Sequence, residues 1–390
     1  MKKIYLDYNA TTPVRAEVLE AMLPYFKDKF GNASSIHGFG RDAKVALEEA
    51  REKVAEIIGA SSNEIFFASG GTESDNLAVK GTVFANRKKG KHIITSKIEH
   101  HAILESCKFL EKEGFEVTYL PVDSRGLVDP EDLNKAIRND TTLVSIMYAN
   151  NEMGIIQPIE ELSKIAKEKG IYFHTDAVQA IGKIPIDVQK LGVDMLSMSG
   201  HKIYGPKGVG AIYIRKGVRI TPLSHGGHHE RSRRAGTENL PAIVGFAKAL
   251  ELVVGEMENQ NKHLKNLTEV FYKKLVESIP DVILNGDFNR RIPNTLNLSF
   301  KGVEGESIIL SLDMKEVAVA SGSACTSGTL EPSHVLSAMG VDPAIAQGAI
   351  RFSFGRYNTT EDVEYVAGVL PEIVQRLRSM SPLYAKKEQN

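Results

Sequence analysis

The chain has 390 residues, of which 42% are hydrophobic and 25% are charged, which is ordinary for a globular protein. Its 48 Lys and Arg nearly balance its 49 Asp and Glu, and the net charge of −1 argues against nucleic acid as a partner. The two cysteines are too few for a disulfide framework or a four-cysteine metal site. This composition favours a reducing compartment.

The N-terminal residues predict neither export nor membrane insertion. The charge of Asp7 comes too soon after Lys2 and Lys3 for the apolar segment of a secretion signal to form. Runs of about 18 apolar residues, the length of a membrane-spanning helix, do not occur in the sequence. We expect a cytoplasmic protein without membrane contact.

Short apolar segments alternate with amphipathic segments over the first two thirds of the chain. Each apolar segment has the length of a buried strand, and several are rich in β-branched or aromatic residues: 65–68, 93–95, 117–120, 143–148, 171–175, 195–198 and 209–214. Helical spacing of apolar residues is seen between them, at about 75–86, 102–112 and 159–169. The alternation predicts an α/β domain with a mainly parallel sheet.

The two ends of the chain have a different pattern. Predicted helices at 15–27 and 41–58 flank a loop rich in Gly, Asn and Ser. After a long predicted helix at 261–278, the pattern changes to strands and helices that indicate a smaller α+β domain, namely strands at 295–300, 316–320 and 349–353 and a helix at 360–378.

The first candidate for chemistry is the segment 69–74, Ser-Gly-Gly-Thr-Glu-Ser, which follows a predicted strand and opens a helix. Its glycines, Gly70 and Gly71, allow close approach of a ligand, and the free N–H groups of a helix N-terminus suit a phosphate. An ordinary capping turn built on Thr72 and Asp75 explains the composition equally well. The segment by itself leaves both interpretations open.

Asp176 and Lys202 follow two predicted strands. A carboxylate at the end of a buried strand needs a partner, which is either an arginine or the cationic ring nitrogen of a cofactor. Lys202 alone is most simply a solvated loop lysine, but its ε-amino group also suits covalent bonding to a cofactor aldehyde. Together with the segment 69–74, the two residues supply the three anchors that pyridoxal phosphate requires.

The two cysteines lie in different surroundings. Cys325 is flanked by small and polar residues, which indicates an accessible loop and a candidate nucleophile. Cys107 falls on the apolar stripe of a predicted helix and is interpreted as a packing residue.

Histidines and arginines cluster at 225–234. His225, His228 and His229 are candidate metal ligands, but no acidic residue has the spacing that a metal site usually needs. We therefore predict no metal. The adjacent Arg231, Arg233 and Arg234 form a basic patch that pairs with acidic groups or binds a ligand phosphate.

Seven blocks in order make the chain resemble the cysteine desulfurases of the NifS/IscS type. Each block is weak alone, and the resemblance extends from residues 5–13 to 351–356; the blocks are 31–35, 69–74, 99–102, 150–154, 176–179, 200–202 and 321–327. The resemblance implies an α/β pyridoxal-phosphate transferase of fold type I, in the class-V aminotransferase group. It implies a large domain at 14–258 with a mainly parallel seven-stranded sheet. Residues 1–13 and 259–390 would form a small α+β domain that carries the Cys325 loop.

The resemblance also assigns roles at the cofactor. Lys202 would bind pyridoxal 5'-phosphate covalently, Asp176 would pair with its ring nitrogen, and His100 would stack on the ring and move protons. Gln179 and Asn151 would contact the phenolic oxygen and the substrate. The phosphate would be held by Gly71, Thr72, Ser199 and His201, and by Thr237 of a second subunit in a homodimer.

For the reaction, the resemblance implies that Arg351 binds the carboxylate of L-cysteine and that the Cys325 thiolate takes its sulfur as a persulfide, leaving L-alanine. The sulfur would then pass to an iron–sulfur scaffold protein or another acceptor, including those of thionucleoside synthesis. The block around Cys325 fits both nitrogenase-dedicated and housekeeping members.

Two other functions remain open from the sequence. One is a related enzyme of the same fold, such as a selenocysteine lyase or an aminotransferase, although transamination needs no thiol such as Cys325. The other is a non-catalytic member of an assembly complex. That alternative is disfavoured by the presence of Lys202, Asp176, His100 and Cys325. His228 and His229 depart from the family pattern and receive no role from it.

Overall fold

The computed structural model describes residues 3–321, 332–381 and 384. The strands within these residues are β1 Ile4–Tyr5, β2 Ile65–Ala68, β3 His92–Ser96, β4 Glu116–Leu120, β5 Thr141–Ser145, β6 Tyr172–Asp176, β7 Met195–Ser199, β8 Gly210–Ile214, β9 Val282–Leu284, β10 Thr295–Phe300, β11 Val317–Ala318 and β12 Ala349–Ser353.

The α-helices of the same residues are α1 Ala16–Met22, α2 Pro24–Lys27, α3 Gly38–Ile58, α4 Gly71–Asn76, α5 Thr82–Asn86, α6 His101–Lys112, α7 Pro130–Ala136, α8 Ile159–Glu168, α9 Val188–Leu191, α10 Leu240–Gly255, α11 Met257–Ser278, α12 Gly305–Asp313, α13 His334–Ala338, α14 Pro343–Ala346 and α15 Thr360–Met380. None of these helices is both long and apolar enough to cross a membrane.

A seven-stranded sheet with the order β2-β8-β7-β6-β5-β3-β4 forms the centre of the molecule. Strands β7, β6, β5, β3 and β4 are parallel, and β8 is antiparallel to both of its neighbours. One face packs against α3, α8 and α10, and the other against α6 and the segment 77–83. Because helices cover both faces, the central strands are buried on both sides, as their uniformly apolar sequences predict.

A second apolar cluster lies around the three-stranded sheet β12-β10-β9. Helices α11 and α15 pack against it through side chains such as Phe271 and Leu370. Ile4 and Leu6, from the beginning of the chain, lie in the same cluster, because β1 pairs in parallel with β11.

Most predicted segments differ from the structure by a few residues at their ends, and three of these differences concern the site or the smaller sheets. The helix predicted from residue 75 begins at Gly71 and continues through a π-helical turn, Leu77–Gly81, into α5. The strand predicted at 143–148 is Thr141–Ser145, although the backbone N–H groups of Ile146 and Tyr148 still donate to His174 and Asp176 of β6. The strand predicted at 316–320 is only Val317–Ala318, followed by an isolated bridge from Ala320 to Arg351.

Candidate active site

A cavity of about 320 Å³ opens where the parallel strands of the central sheet end. Strands β6 and β7 reach it with their last residues, Asp176 and Ser199. The carboxyl edge of such a sheet is where α/β proteins bind ligands, and the volume suits a small organic molecule. The cavity is lined by Asn9, Ala10, Gly71, Thr72, Asp75, His100, Met147, Asn151, Asp176, Val178, Gln179, Ser199, His201, Lys202 and Arg351.

One end of the cavity is built to receive an anion. Gly71 begins α4, and no side chain caps this helix, so the predicted Thr72 capping turn is not what the structure shows. The first N–H groups of the helix therefore remain available to a ligand. A Cβ at Gly71 would come within 2.7 Å of Val178 Cγ2, and the buried Ser199 Oγ lacks a hydrogen-bond partner among the described residues. A phosphate at this end would supply that partner.

Two buried carboxyl groups, those of Asp176 and Asp75, line the deep part of the cavity. Asp176 Oδ1 accepts the Val178 N–H at 2.8 Å, and among the described residues Asp176 has no salt bridge to an arginine. Burial raises the pKa of Asp176 to about 6, and the charge of Lys202 opposes this rise. A positively charged ring nitrogen would satisfy this carboxylate.

Asp75 is a cavity residue that the sequence analysis considered only as part of a capping turn. It lies one helical turn after Gly71, so it projects from the same side of the helix. Burial and the charge of Asp176 raise its pKa well above the usual value. Its Oδ1 lies 3.7 Å from Nε2 of the buried His174. Its i, i+4 spacing from Gly71 was the sequence feature that could have indicated Asp75 as a site residue. The burial of Asp75 was not predictable, because it depends on strands far away in the sequence.

Lys202 lies in a short 3₁₀ turn directly after β7, Gly200–Lys202. Its Nζ donates to two backbone carbonyls of the N-terminal segment, Asn9 O and Ala10 O, the latter at 2.9 Å. The side chain is therefore held at the cavity wall, and the solvated-loop interpretation is wrong. The sequence did not reveal Asn9 and Ala10 as partners, because they contribute main-chain atoms.

His100 lies directly before α6, and its Nδ1 accepts the Ala102 N–H at 3.1 Å. The proton of the neutral imidazole is therefore on Nε2. Burial lowers the pKa of His100 to about 4, with the charges of Lys202, His101 and His334 adding to the effect. The ring is neutral at pH 7 and is available for stacking.

His201 and Gln179 are each held by the N-terminal segment. His201 Nδ1 lies 3.2 Å from Thr11 Oγ1, and burial lowers its pKa to about 4, so its ring is also neutral at pH 7. Gln179 Nε2 donates to Asn9 O at 2.9 Å. Asn9 and Ala10 of this segment are themselves part of the cavity wall.

Arg351 enters the cavity from β12 and is buried. Its guanidinium donates to Asp7 Oδ1 at 2.7 Å and to Asn151 O at 3.1 Å, while its Nε has no partner among the described residues. A guanidinium has five N–H donors, so groups remain for a ligand carboxylate. Asp7 is a further contact that the sequence analysis did not identify.

Some predicted residues lie elsewhere. Thr237 is exposed and is not part of the cavity wall. Cys325 lies outside the described residues. Cys107 is fully buried, and burial raises the pKa of its thiol to about 12, which agrees with a packing role.

The histidines and arginines at 225–234 have structural contacts. Arg234 Nε pairs with Glu73 at 2.9 Å, and Arg231 lies 3.7 Å from Glu48, so these two arginines pair with acidic groups. His228 Nδ1 lies 3.1 Å from Ser232 Oγ. In the described part of the chain, no group of histidines, cysteines and acidic residues has the arrangement of a metal site.

Pyridoxal phosphate fits this donor set. The cavity lining combines an unpartnered hydroxyl and free helix N–H groups with a buried carboxylate and a lysine. These are the complements of a phosphate, a ring nitrogen and an aldehyde.

Comparisons with known proteins agree with this geometry. Residues 4–366 match the family model for class-V aminotransferases. The chain is 60% identical to the cysteine desulfurase IscS of Dictyoglomus turgidum, covering 98% of this chain and 97% of the relative. It is 58% identical to the IscS of Methanosarcina thermophila, covering 99% and 95%. A solved NifS-like protein superimposes with a TM-score of 0.91 at 46% identity, covering 96% of this chain and 100% of that one.

The fold and its cavity define the class of protein first: a pyridoxal-phosphate-dependent enzyme of fold type I. The chain belongs to the class-V aminotransferase family and, within it, to the cysteine desulfurases of the IscS type. The fold class, the enzyme class and the cofactor predicted from the sequence are thereby confirmed.

Proposed function

We propose that this enzyme converts L-cysteine to L-alanine and passes the sulfur, as a persulfide on Cys325, to an acceptor protein. The observation that carries the proposal is the grouping of Lys202, Asp176 and the uncapped helix N-terminus around one cavity, in a chain so similar to IscS desulfurases. The reaction requires a cofactor that withdraws electrons from the substrate. These three groups are suited to bind such a cofactor.

Pyridoxal phosphate, when bound, supplies an electron sink that labilises the bonds at the substrate α-carbon. In the proposed site Lys202 Nζ would hold it covalently, and Asp176 would keep its ring nitrogen protonated. The phosphate would be held by Gly71, Thr72, Ser199 and His201. His100 would stack on the ring, and Gln179 and Asn151 would contact the phenolic oxygen and the substrate.

Lys202 is also the proposed proton carrier. When not bonded to the cofactor, its amine would move the α-proton of L-cysteine. Asn9 O and Ala10 O, which accept from Nζ, would keep that amine close to the cavity. The neutral His100 offers a second site for proton exchange through its ring.

Arg351 is the proposed anchor for the substrate carboxylate. Its guanidinium is fixed by Asp7 and Asn151, so little side-chain freedom is lost when the substrate binds. A fixed guanidinium favours a two-pronged contact with a carboxylate.

Cys325 is the proposed sulfur acceptor within the chain. Its thiolate would attack the substrate sulfur, so that an S–S bond forms as the C–S bond breaks. The electron pair of the broken bond stays with the substrate carbon, which takes up a proton to give L-alanine. The described residues on both sides of its segment lie beside the cavity, because Ala320 pairs with Arg351 and Ser333 Oγ donates to Glu152 at 2.5 Å. Cys325 comes four positions after Ser321, so the chain between their Cα atoms spans at most about 14 Å.

A homodimer is the proposed working unit. A run of exposed apolar side chains occupies the N-terminal part of the chain: Leu19, Leu23, Phe26, Phe30, Ile36 and Phe39. Exposed apolar side chains grouped in this way favour a protein–protein contact. The exposed Thr237 would reach the phosphate site of the second subunit.

The proposed domain division is 14–258 for the large domain and 1–13 with 259–390 for the small domain. It is supported by the separate apolar cluster around β12-β10-β9.

An iron–sulfur scaffold protein or another sulfur acceptor is the proposed partner. The reducing compartment favoured by the low cysteine content makes the cytoplasm the proposed location.

The reaction is tested by incubating the purified, cofactor-loaded enzyme with L-cysteine and a thiol reductant. The proposal expects alanine and sulfide in equal amounts. Formation of pyruvate or a keto acid without sulfide would point instead to another reaction of the same family.

A further inference from the structure

Gln179 is held at both ends of its side-chain amide. Its Nε2 donates to Asn9 O at 2.9 Å, and its Oε1 accepts from Lys183 Nζ at 2.9 Å. The side chain is buried, with 4% of its surface exposed. The two contacts fix both the position of the amide and which of its ends faces each neighbour.

The orientation follows from the chemistry of the two partners. A carbonyl oxygen such as Asn9 O only accepts, so the amide nitrogen must face it. The amine of Lys183 has N–H groups in either protonation state, so it donates to the amide oxygen. Without Lys183, the buried Oε1 would lack this donor, which is unfavourable, and the amide would be free to turn.

The amide nitrogen so oriented lies close to Lys202 Nζ. Both nitrogens donate to the same atom, Asn9 O, and both residues line the cavity. In pyridoxal phosphate, the phenolic oxygen is on the ring carbon next to the one that bears the aldehyde. A donor beside Lys202 Nζ is therefore placed to reach the phenolic oxygen with its second hydrogen.

We propose that Lys183 is a positioning residue which, by holding the Gln179 amide oxygen, keeps the amide nitrogen directed at the phenolic oxygen of the cofactor. The inference rests on the proposed roles of Lys202 and Gln179. It adds a residue outside the cavity wall that acts on the cofactor through another side chain.

A direct electrostatic effect of Lys183 is the alternative. Burial lowers the pKa of Lys183 to about 7, and Lys202 and Arg351 add to this. The other titratable groups that line the space beside Lys183 are Tyr8, Tyr204, Glu256 and Arg356. A charge at Lys183 would act on the cofactor even without Gln179, so a double-mutant cycle separates the two effects.

The test measures the visible absorption of the cofactor-loaded enzyme against pH, without substrate. This band reports protonation of the nitrogen that links Lys202 to the cofactor. A donor to the phenolic oxygen competes with that N–H for the oxygen, so its loss raises the pKa of the linking nitrogen. We expect Lys183→Met to raise the midpoint by about one unit, and Gln179→Ala to raise it at least as much.

The double variant decides the proposal. We expect Lys183→Met to add no shift in the Gln179→Ala background, and Lys183→Arg, which keeps a donor, to restore the wild-type midpoint. The exposed Lys190→Met is the matched control and should leave the midpoint in place. An equal shift from Lys183→Met with and without Gln179 would overturn the proposal, as would an unshifted midpoint in the single variant.

These outcomes do not depend on turnover of L-cysteine. An enzyme that shows the band but produces no alanine would contradict the proposed reaction and leave this proposal intact. A wild-type enzyme without the band would overturn the role of Lys202, and this proposal with it.

Discussion

Asp75 and Asp176 bring two buried carboxyl groups to one cavity, one from the first turns of a helix and the other from the end of a strand. Burial, together with the charge of Asp176, keeps the pKa of Asp75 high. Two carboxyl groups in such a site do not readily ionise together. We infer that Asp176, with Lys202 nearby and the Val178 N–H on its oxygen, is the one that ionises first.

This inference predicts unequal effects of the two isosteric substitutions. Asp176→Asn removes the partner of the ring nitrogen, and we expect kcat to fall by about 100-fold or more. Asp75→Asn replaces a carboxyl group whose pKa is raised by burial, so it removes less charge and its effect should stay below about tenfold. Steady-state kinetics with L-cysteine measure both, and a larger loss in Asp75→Asn would contradict the assignment.

Lys202→Ala should remove the visible band of the cofactor. In the proposed site this side chain supplies the nitrogen that would hold the cofactor covalently, and alanine has no amine to take its place. Absorption after reconstitution with pyridoxal phosphate measures the result. Lys207→Ala, an exposed lysine five residues away, is the control and should retain the band.

Arg351→Lys should weaken substrate binding more than it slows the chemical steps. Lysine keeps the charge but cannot form the two-pronged contact, so we expect KM for L-cysteine to rise by about tenfold or more. The cofactor band should remain as in the wild type. A variant with unchanged KM and a lowered kcat would show that Arg351 does not hold the substrate.

His174 predicts a pH dependence of stability. Its ring is buried between the hydroxyls of Ser145 and Ser197, and burial lowers its pKa to about 3. Between this value and the ordinary pKa near 6.5, the unfolded chain binds a proton that the folded chain does not. The free energy of unfolding therefore falls as the pH falls through this window.

The contribution of His174 is measured by urea unfolding at pH 7 and pH 5. Wild type should lose about 2 kcal/mol more than His174→Gln over this range, because glutamine does not titrate. His228→Gln, which changes an exposed ring, is the control. Equal losses in wild type and His174→Gln would contradict the prediction.

The two cysteines should respond differently to substitution. Cys325→Ser should retain the cofactor band and lose alanine production, because the proposed sulfur acceptor is absent. Cys107→Ser changes a buried packing residue and should retain turnover, with a modest loss of stability. The activities of the two variants, measured side by side with L-cysteine, test the assignment of Cys325 as the sulfur acceptor. An active Cys325→Ser variant would contradict that assignment.

The sequence predicted the central sheet well, because its seven strands are short apolar segments that stand out from the helices between them. The strand ends were less predictable. Residues 146–148 continue the apolar run beyond the end of β5, and two of their backbone N–H groups still donate to β6. The apolar pattern therefore does not mark the last residue of the strand.

The site was predicted where a chemical group has a recognisable sequence context, as for Lys202 and Asp176. Three of its features lacked such a context. The carbonyls of Asn9 and Ala10 are main-chain atoms, the burial of Asp75 depends on strands distant in sequence, and the contact of Lys183 with Gln179 depends on the turn between them. Each is visible only once the chain is folded.

The central claim is that sulfur leaves L-cysteine as a persulfide on Cys325. The most direct measurement is a single turnover with sulfur-labelled L-cysteine and no reductant, followed by peptide mass spectrometry and alanine quantification. The account predicts one labelled sulfur on the peptide that contains Cys325, in equal amount to the alanine formed. Alanine without label on that peptide, or label on the peptide that contains Cys107, would contradict it.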